Sequence, residues 1–520
     1  MKVMPVYLWG DMHAFTMAKN KMVENSLLDV NLLQELQKDN TWWRNDKISS
    51  DWDKPFYRSD FYKYIGELKS KDIQVIIGPR RVGKTILLYQ MIKHLMETLK
   101  VESKYIIYLD LSKPYIAFNI GGILPCLKVY QESILKKDFA DLDKNERVYI
   151  FVDEVQKEKN WAANLESIRS RKYSISFFVT GSSGTEIDKK ASESLVGRAN
   201  FRYILPLKFK DILRKEMGYN DSKLEEVKEL CDVFENAVKS KNVKKLYTYI
   251  VNELITTTLT STFQIKVKDT LNLYMLKGGY PEFYEEYKEE HWNVMSKRMR
   301  DDYFERIVSR DIVEAFNVNK PETIRKLYLL IGFDTSNIAS FANYAKIIDT
   351  RKNTVLEYFE YLKRSFLISA SEKYYPKKRP RGEQKKVYVV DVGMRNAVLG
   401  ITKQDFGTHK AQLGQLAETI AHGHCMRLKY KIHPTNDFIL NYWRAKNQNE
   451  IDIIMDLGES LLPIEVKYAE TINSEDKANL KAYLIEHKKK VAFGILITKD
   501  SLFLDENIIG IPLWLFLLIC

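Results

Sequence analysis

Gly78-Pro79-Arg80-Arg81-Val82-Gly83-Lys84-Thr85 places two glycines, a lysine and a hydroxyl in the spacing G-x-x-x-x-G-K-[ST]. Such a loop wraps backbone N–H groups around phosphates, and a helix N-terminus behind it adds favourable partial charge. Lys84 would reach the β- and γ-phosphates of ATP, and Thr85 would offer its hydroxyl to Mg²⁺. About seventy residues on, the apolar run Val148–Val152 ends in Asp153-Glu154. Asp153 can join the metal shell and Glu154 can polarise an attacking water, which is the chemistry of hydrolysis rather than of binding alone. Ser182, beyond the next apolar run, and Arg198 are further candidates. Ser182 would sense the γ-phosphate through its hydroxyl, and Arg198 would contact phosphate in cis or in a neighbouring subunit.

A second set lies near the C-terminus. Glu465 and Lys467 alternate along Leu461–Tyr468, so period-two geometry puts them on one strand face. A turn at Gly458 would fold Asn449–Met455 back and bring Asp452 beside them. Asp452 and Glu465 can hold Mg²⁺, Lys467 can position a hydroxide, and Glu418, in a helical stretch, would complete the outer ligation. His422, His424 and Cys425 lie close together but lack a fourth ligand at zinc spacing, so they read as local packing.

Elements must position these groups. Ile73–Ile77, Tyr105–Leu111, Val148–Val152, Ser174–Val179 and Arg202–Leu205 are near-continuous apolar runs with helical spacing between several of them. They predict a mostly parallel sheet covered on both faces. Glu322–Ile331, Ile338–Ile348 and Thr354–Arg364 carry helical period, with Phe366–Tyr374 and Lys386–Val390 strand-like after them. That order suits a recognition helix opened by Arg351 and Lys352, followed by a wing bearing Lys377, Lys378, Arg379 and Arg381. Contact with DNA phosphates is one use of such an element, and interdomain packing is the other.

The composition fits several folded domains. The chain has 520 residues, 45% of them hydrophobic, which excludes disorder as its general state. Net charge is +12, and residues 321–400 concentrate 15 Lys and Arg against 8 Asp and Glu. Residues 401–520 are nearly neutral, with 14 against 15. Four cysteines without a C-x-x-C pair favour a reducing cytoplasm. The apolar end, Ile508–Cys520, is too short to span a membrane and predicts a buried final strand.

Together the phosphate loop, Phe151–Gln156, Val179–Ser183, Ser194–Arg198, Leu205–Phe209 and the Gly278-Gly279-Tyr280-Pro281 element resemble the archaeal and bacterial AAA-fold ATPase family. Trp42-Trp43 also resembles a motif often seen before that ATPase domain. The resemblance implies an α/β multidomain chain: a P-loop NTPase with an AAA-type parallel sheet, a helical lid, a winged helix and a restriction-endonuclease-like domain. The boundaries expected are an N-terminal segment at 1–55, the ATPase at 56–215, the lid at 216–320, the winged helix at 321–400 and the nuclease-like domain at 401–520. Glu418, Asp452, Glu465 and Lys467 resemble the PD-(D/E)xK nuclease pattern, with a degenerate, structural version left open. The expected protein is a Mg²⁺-dependent ATPase coupled to DNA binding, and to cleavage if the C-terminal centre is active. The alternative is an ATP-driven signalling switch whose C-terminal domains contact proteins, as a homo-oligomer or with another partner.

Overall fold

The computed structural model describes residues 29–116, 122–182, 195, 197–218, 221–255, 260–285, 291–375, 384–406, 410–433, 439–445 and 449–520. The chain divides into two compact units, 1–78 with 83–204 and 79–82 with 205–520.

The first unit is built on a five-stranded sheet in the order β2-β3-β4-β1-β5. Its strands are β1 (Ile73–Ile77), β2 (Ile106–Asp110), β3 (Val148–Asp153), β4 (Ile175–Gly181) and β5 (Ala199–Tyr203). Every pairing is parallel. Strands β1, β3 and β4 are buried along their whole length, as unbroken apolar runs between covering helices require. Helix α1 (Lys84–Glu97) leaves directly from the phosphate loop.

Strand β2 lies at the sheet's edge, where unpaired backbone groups need partners. Residues N-terminal to the sheet supply them. The buried Asn40 side chain accepts from the Tyr108 N–H at 2.7 Å and donates to the Tyr108 carbonyl at 2.9 Å. The indoles of Trp42 and Trp43 both donate to the Ile106 carbonyl, at 3.1 and 2.8 Å. A side-chain amide thus stands in for a neighbouring strand. Asn40, Trp42 and Trp43 thus cover the edge of the sheet and belong to the same unit.

The second unit holds three helices followed by a hairpin, as the periodicity predicts. These are α2 (Pro321–Phe333), α3 (Phe341–Ile348) and α4 (Lys352–Arg364), then β6 (Ile368–Lys373) and β7 (Lys385–Val389). Pro321 opens α2 at the first turn, where its missing N–H costs nothing. Val355, Phe359 and Leu362 form the buried stripe of α4. Helices α5 (Val392–Val398) and α6 (Lys410–Ile432) follow.

The hairpin is not free-standing. It belongs to an eight-stranded sheet in the order β12-β13-β11-β10-β9-β8-β6-β7. The remaining strands are β8 (Asn441–Arg444), β9 (Glu450–Asp456), β10 (Leu461–Lys467), β11 (Gly494–Thr498), β12 (Phe503–Asp505) and β13 (Ile508–Pro512). Because β6 pairs with β8, the sheet runs across the boundary expected at 400. Strands β9 and β10 are antiparallel around Gly458, whose φ of 81° suits glycine. Strand β10 then pairs in parallel with β11, and helix α7 (Ala478–Glu486) lies between them in the chain.

The C-terminus corrects one expectation. The strand stops at Pro512, and Leu513–Ile519 is a helix, α8, with every residue buried. Proline cannot donate to a ladder and readily precedes a helix, so the apolar run splits there. All four cysteines are buried, and none forms a disulfide. No helix among the described residues is long and apolar enough to cross a membrane.

Candidate functional site

In the first unit the phosphate loop leaves the carboxyl end of β1. Gly78 has no room for a side chain, since a Cβ there would sit 2.0 Å from the Ile204 carbonyl oxygen. Gly83 has φ 94°, a conformation that favours glycine. It precedes α1 without giving it a side-chain cap, so the helix's first N–H groups face the loop. Lys84 is buried, and its ammonium donates to the Gly78 carbonyl at 2.9 Å.

Thr85 and Asp153 are brought together. The Thr85 hydroxyl donates to Asp153 Oδ2 at 2.5 Å, and the Tyr108 hydroxyl donates to the same oxygen at 3.1 Å. Thr180, at the end of β4, donates to the other oxygen. Burial raises the Asp153 pKa, as does the neighbouring Glu154, while Thr180, Thr85 and Lys84 oppose the shift. A hydroxyl and a carboxylate at the open end of α1 suit Mg²⁺, which takes few protein ligands and otherwise phosphate and water. When bound, Mg²⁺ would neutralise charge on the β- and γ-phosphates.

Glu154 sits at φ 54°, ψ 46°, a left-handed conformation uncommon outside glycine. Its carboxylate accepts from the Ser182 hydroxyl at 2.7 Å and from the Gln156 amide. Gln156 also donates to Ser182 at 3.0 Å. Ser182 thus holds the carboxylate beside it. Gln156 and Thr180 lie inside strings that carry the resemblance but were given no role of their own, and Tyr108 lies outside them; their places beside Glu154 and Asp153 supply the roles.

Arg198 is not brought to the loop. Its carbonyl accepts from the Ile73 N–H, at the start of β1, and the loop leaves the other end of that strand. Five strand residues span about 16 Å. Its guanidinium pairs with Glu166 at 3.1 Å and is half exposed. The structure thus places Arg198 beside Glu166, at the far end of β1 from the loop.

In the second unit, Pro79–Val82 group with residues 205–520. Arg80 pairs with Asp311 at 3.2 Å. Arg81, at φ 63°, lies 3.7 Å from Glu282 and 4.4 Å over the Tyr303 ring. Arg351 is exposed just before α4 and Lys352 is half-buried at its start. Lys377, Lys378, Arg379 and Arg381 lie outside the described residues.

The β9–β10 hairpin brings Asp452 and Glu465 together. The Val466 N–H donates to Asp452 Oδ2 at 2.9 Å, and Lys467 lies 3.3 Å from Glu465. Glu418, on α6, joins the same group. At its centre is a residue that no motif indicated, Lys386 of β7. Its ammonium lies 2.8 Å from Glu418, 2.9 Å from Glu450 and 2.7 Å from Asp452. The Tyr388 hydroxyl donates to Glu418 at 2.9 Å.

Burial pushes the Glu418 pKa up to about 7, helped by Asp452 and opposed by Lys386. Burial also raises Glu465, with Asp452 adding to it. For Lys386, burial favours the neutral amine, but the charges led by Asp452 outweigh it and keep the ammonium protonated. Among the described residues no group of three or more His, Cys, Asp or Glu is arranged to hold a metal ion. His422 bonds Ser371 at 3.0 Å and stacks on Tyr388, and His424 accepts from the Phe209 N–H at 3.1 Å, so both pack locally.

Residues 70–213 match the family model described as an AAA domain. Residues 268–405 and 413–516 match two domains of unknown function, DUF8612 and DUF4143. Uncharacterized protein MJ1544 of Methanocaldococcus jannaschii is 26% identical over 417 residues, covering 79% of this chain and 78% of its own. An uncharacterized protein of Haemophilus influenzae is 22% identical over 449 residues, or 84% and 93%. Among solved structures, the Aeropyrum pernix ORC2 protein in its ADPNP-ADP complexes aligns with 72% of this chain and 99% of its own. The identity there is 13% and the TM-score 0.33. With its parallel sheet, phosphate loop and carboxylate pair, the N-terminal part of the chain is an AAA-type P-loop ATPase domain.

Proposed function

We propose that the protein is a Mg²⁺-dependent ATPase that binds DNA through α4 and the basic segment after β6. The observation that carries the ATPase half is the juxtaposition of Thr85, Asp153, Glu154 and Ser182 at the carboxyl end of the parallel sheet. The α1 N-terminus and Lys84 would bind the phosphates, with Thr85 and Asp153 as the residues that would hold Mg²⁺. Glu154, oriented by Ser182 and Gln156, would accept a hydrogen bond from water and direct it at the γ-phosphate.

The DNA half rests on the charge at residues 351–395 and on the order of three helices and a hairpin. Its test is the affinity of the full chain for duplex DNA across a salt series, with ATP turnover followed with and without DNA. Affinity should fall steeply with salt, and Arg351→Ala should flatten the log–log slope by about 1 per lost phosphate contact. Weak binding that ignores salt would sink this half and leave the ATPase half standing.

The rival reading, an ATP-driven switch whose C-terminal domain contacts other proteins, gains from Lys386. An ammonium amid the carboxylates proposed for Mg²⁺ speaks against DNA cleavage. A switch predicts slow turnover that DNA does not stimulate. The proposed setting is the cytoplasm.

A further inference from the structure

The carboxylates expected to hold a nuclease metal do not fit one. A divalent cation with nuclease chemistry needs free oxygens from Asp452 and Glu465, with Glu418 near at hand. Here a positive charge already stands where the cation would: Asp452 Oδ1 faces the Lys386 ammonium at 2.7 Å, while Oδ2 accepts the Val466 N–H at 2.9 Å. Glu418 Oε1 takes both Lys386, at 2.8 Å, and the Tyr388 hydroxyl. Glu465 Oε1 lies 3.3 Å from Lys467. Mg²⁺ bonds oxygen at about 2.0–2.1 Å, so an ion reaching Asp452 Oδ1 and Glu418 Oε1 would overlap the ammonium between them.

The stoichiometry of donors points the same way. An ammonium has three N–H donors and no acceptor, and Lys386 faces three carboxylates, one oxygen each. Its side chain is only 3% exposed. A charge taken that far out of water persists only when paired and hydrogen-bonded. Conversely, Glu418, Glu450, Asp452 and Glu465 without it would be four acidic groups balanced only from the edges, by Lys467 beside Glu465 at 3.3 Å and Arg444 beside Glu450 at 3.8 Å. The lysine also comes from a different element than its partners. It stands on β7, while Glu418 is on α6 and Glu450 and Asp452 are on β9. It therefore ties the hairpin after α4 to the core of the C-terminal sheet.

We infer that Lys386 is the resident counter-cation of this acidic centre, which takes no divalent metal and joins the β6–β7 hairpin to the β9–β10 hairpin. The inference is independent of the ATPase reading, because its test omits nucleotide. Mn²⁺ binding to the nucleotide-free full chain is followed by electron paramagnetic resonance, comparing the native protein with Asp452→Asn and Glu465→Gln. The expected result is that neither substitution removes any bound Mn²⁺. Loss of bound Mn²⁺ in either variant would overturn the inference. Lys386→Met should open the centre, creating a Mn²⁺ site that the added Asp452→Asn abolishes. A folded Lys386→Met protein that binds no more Mn²⁺ than the native chain would also count against it. If Lys386→Met does not fold, the comparison of the native chain with Asp452→Asn decides by itself.

Discussion

The Thr85 hydroxyl and the Asp153 carboxylate, 68 residues apart in sequence, meet at 2.5 Å where α1 begins. The relationship exists because β1 and β3 both end at the same edge of a parallel sheet, with β4 between them. Ligands of open α/β sheets bind outside that carboxyl edge. The same edge carries Glu154 and Ser182.

Glu154→Gln should therefore keep ATP binding and lower turnover by about 10²–10⁴-fold, the usual contribution of a positioned acid–base group. Equilibrium binding of a fluorescent ATP analogue and phosphate release on the same samples separate the two quantities. Lys84→Ala should instead lose binding. Normal turnover in Glu154→Gln would remove the role assigned to that carboxylate.

Asn40 makes a separable prediction about stability. Its amide serves both backbone groups of Tyr108 and also donates to the Leu36 carbonyl at 2.7 Å. Asn40→Ala would leave buried groups of the edge strand unpaired, at a cost of about 1–3 kcal/mol. Asn40→Asp keeps an acceptor for the Tyr108 N–H but loses the donor. Denaturant unfolding of the first unit's transition should rank native, then either variant below it. A midpoint unchanged in Asn40→Ala would show that water replaces the amide.

Asp391 gives a pH dependence with a definite sign. It caps α5 by accepting the Met394 N–H at 2.8 Å and also accepts the Gly279 N–H at 2.7 Å. Burial nonetheless raises its pKa to about 6, against the pull of those backbone bonds. A carboxyl with a raised folded pKa binds more protons folded than unfolded. Its contribution is fully present below the unfolded value near 3.8 and is lost as pH rises through about 6. The native chain should therefore lose thermal stability relative to Asp391→Asn as pH goes from about 4 to above 6. Melting curves of both proteins across that range check it, and a constant difference would contradict a carboxyl whose burial outweighs its hydrogen bonds.

Much of the ATPase site was legible in the sequence because its signals are local. Gly78, Gly83, Lys84 and Thr85 act through one strand–loop–helix, and an apolar strand capped by Asp153-Glu154 announces itself by composition. Their meeting follows from parallel strands sharing a carboxyl edge. The period of α2, α4 and β9–β10 was legible for the same reason, since side-chain direction repeats every 3.6 or 2 residues.

Tertiary structure alone decided what depends on partners distant in sequence. Ser182 hydrogen-bonds Glu154, while Arg198 falls at the opposite end of β1, and nothing local to either residue distinguishes those fates. Pro512 turned an apolar strand into a helix where neighbouring elements could bury both. Lys386 is the clearest case: in sequence it opens the strand-like run Lys386–Val390 just after a basic segment, and nothing there names its partners. Only the pairing of β6 with β8 and the packing of α6 surround it with Glu418, Glu450 and Asp452. The sequence alone determined which residues could carry chemistry; long-range burial and charge compensation decided which carboxylates gather with Thr85 and Ser182 and which face a lysine.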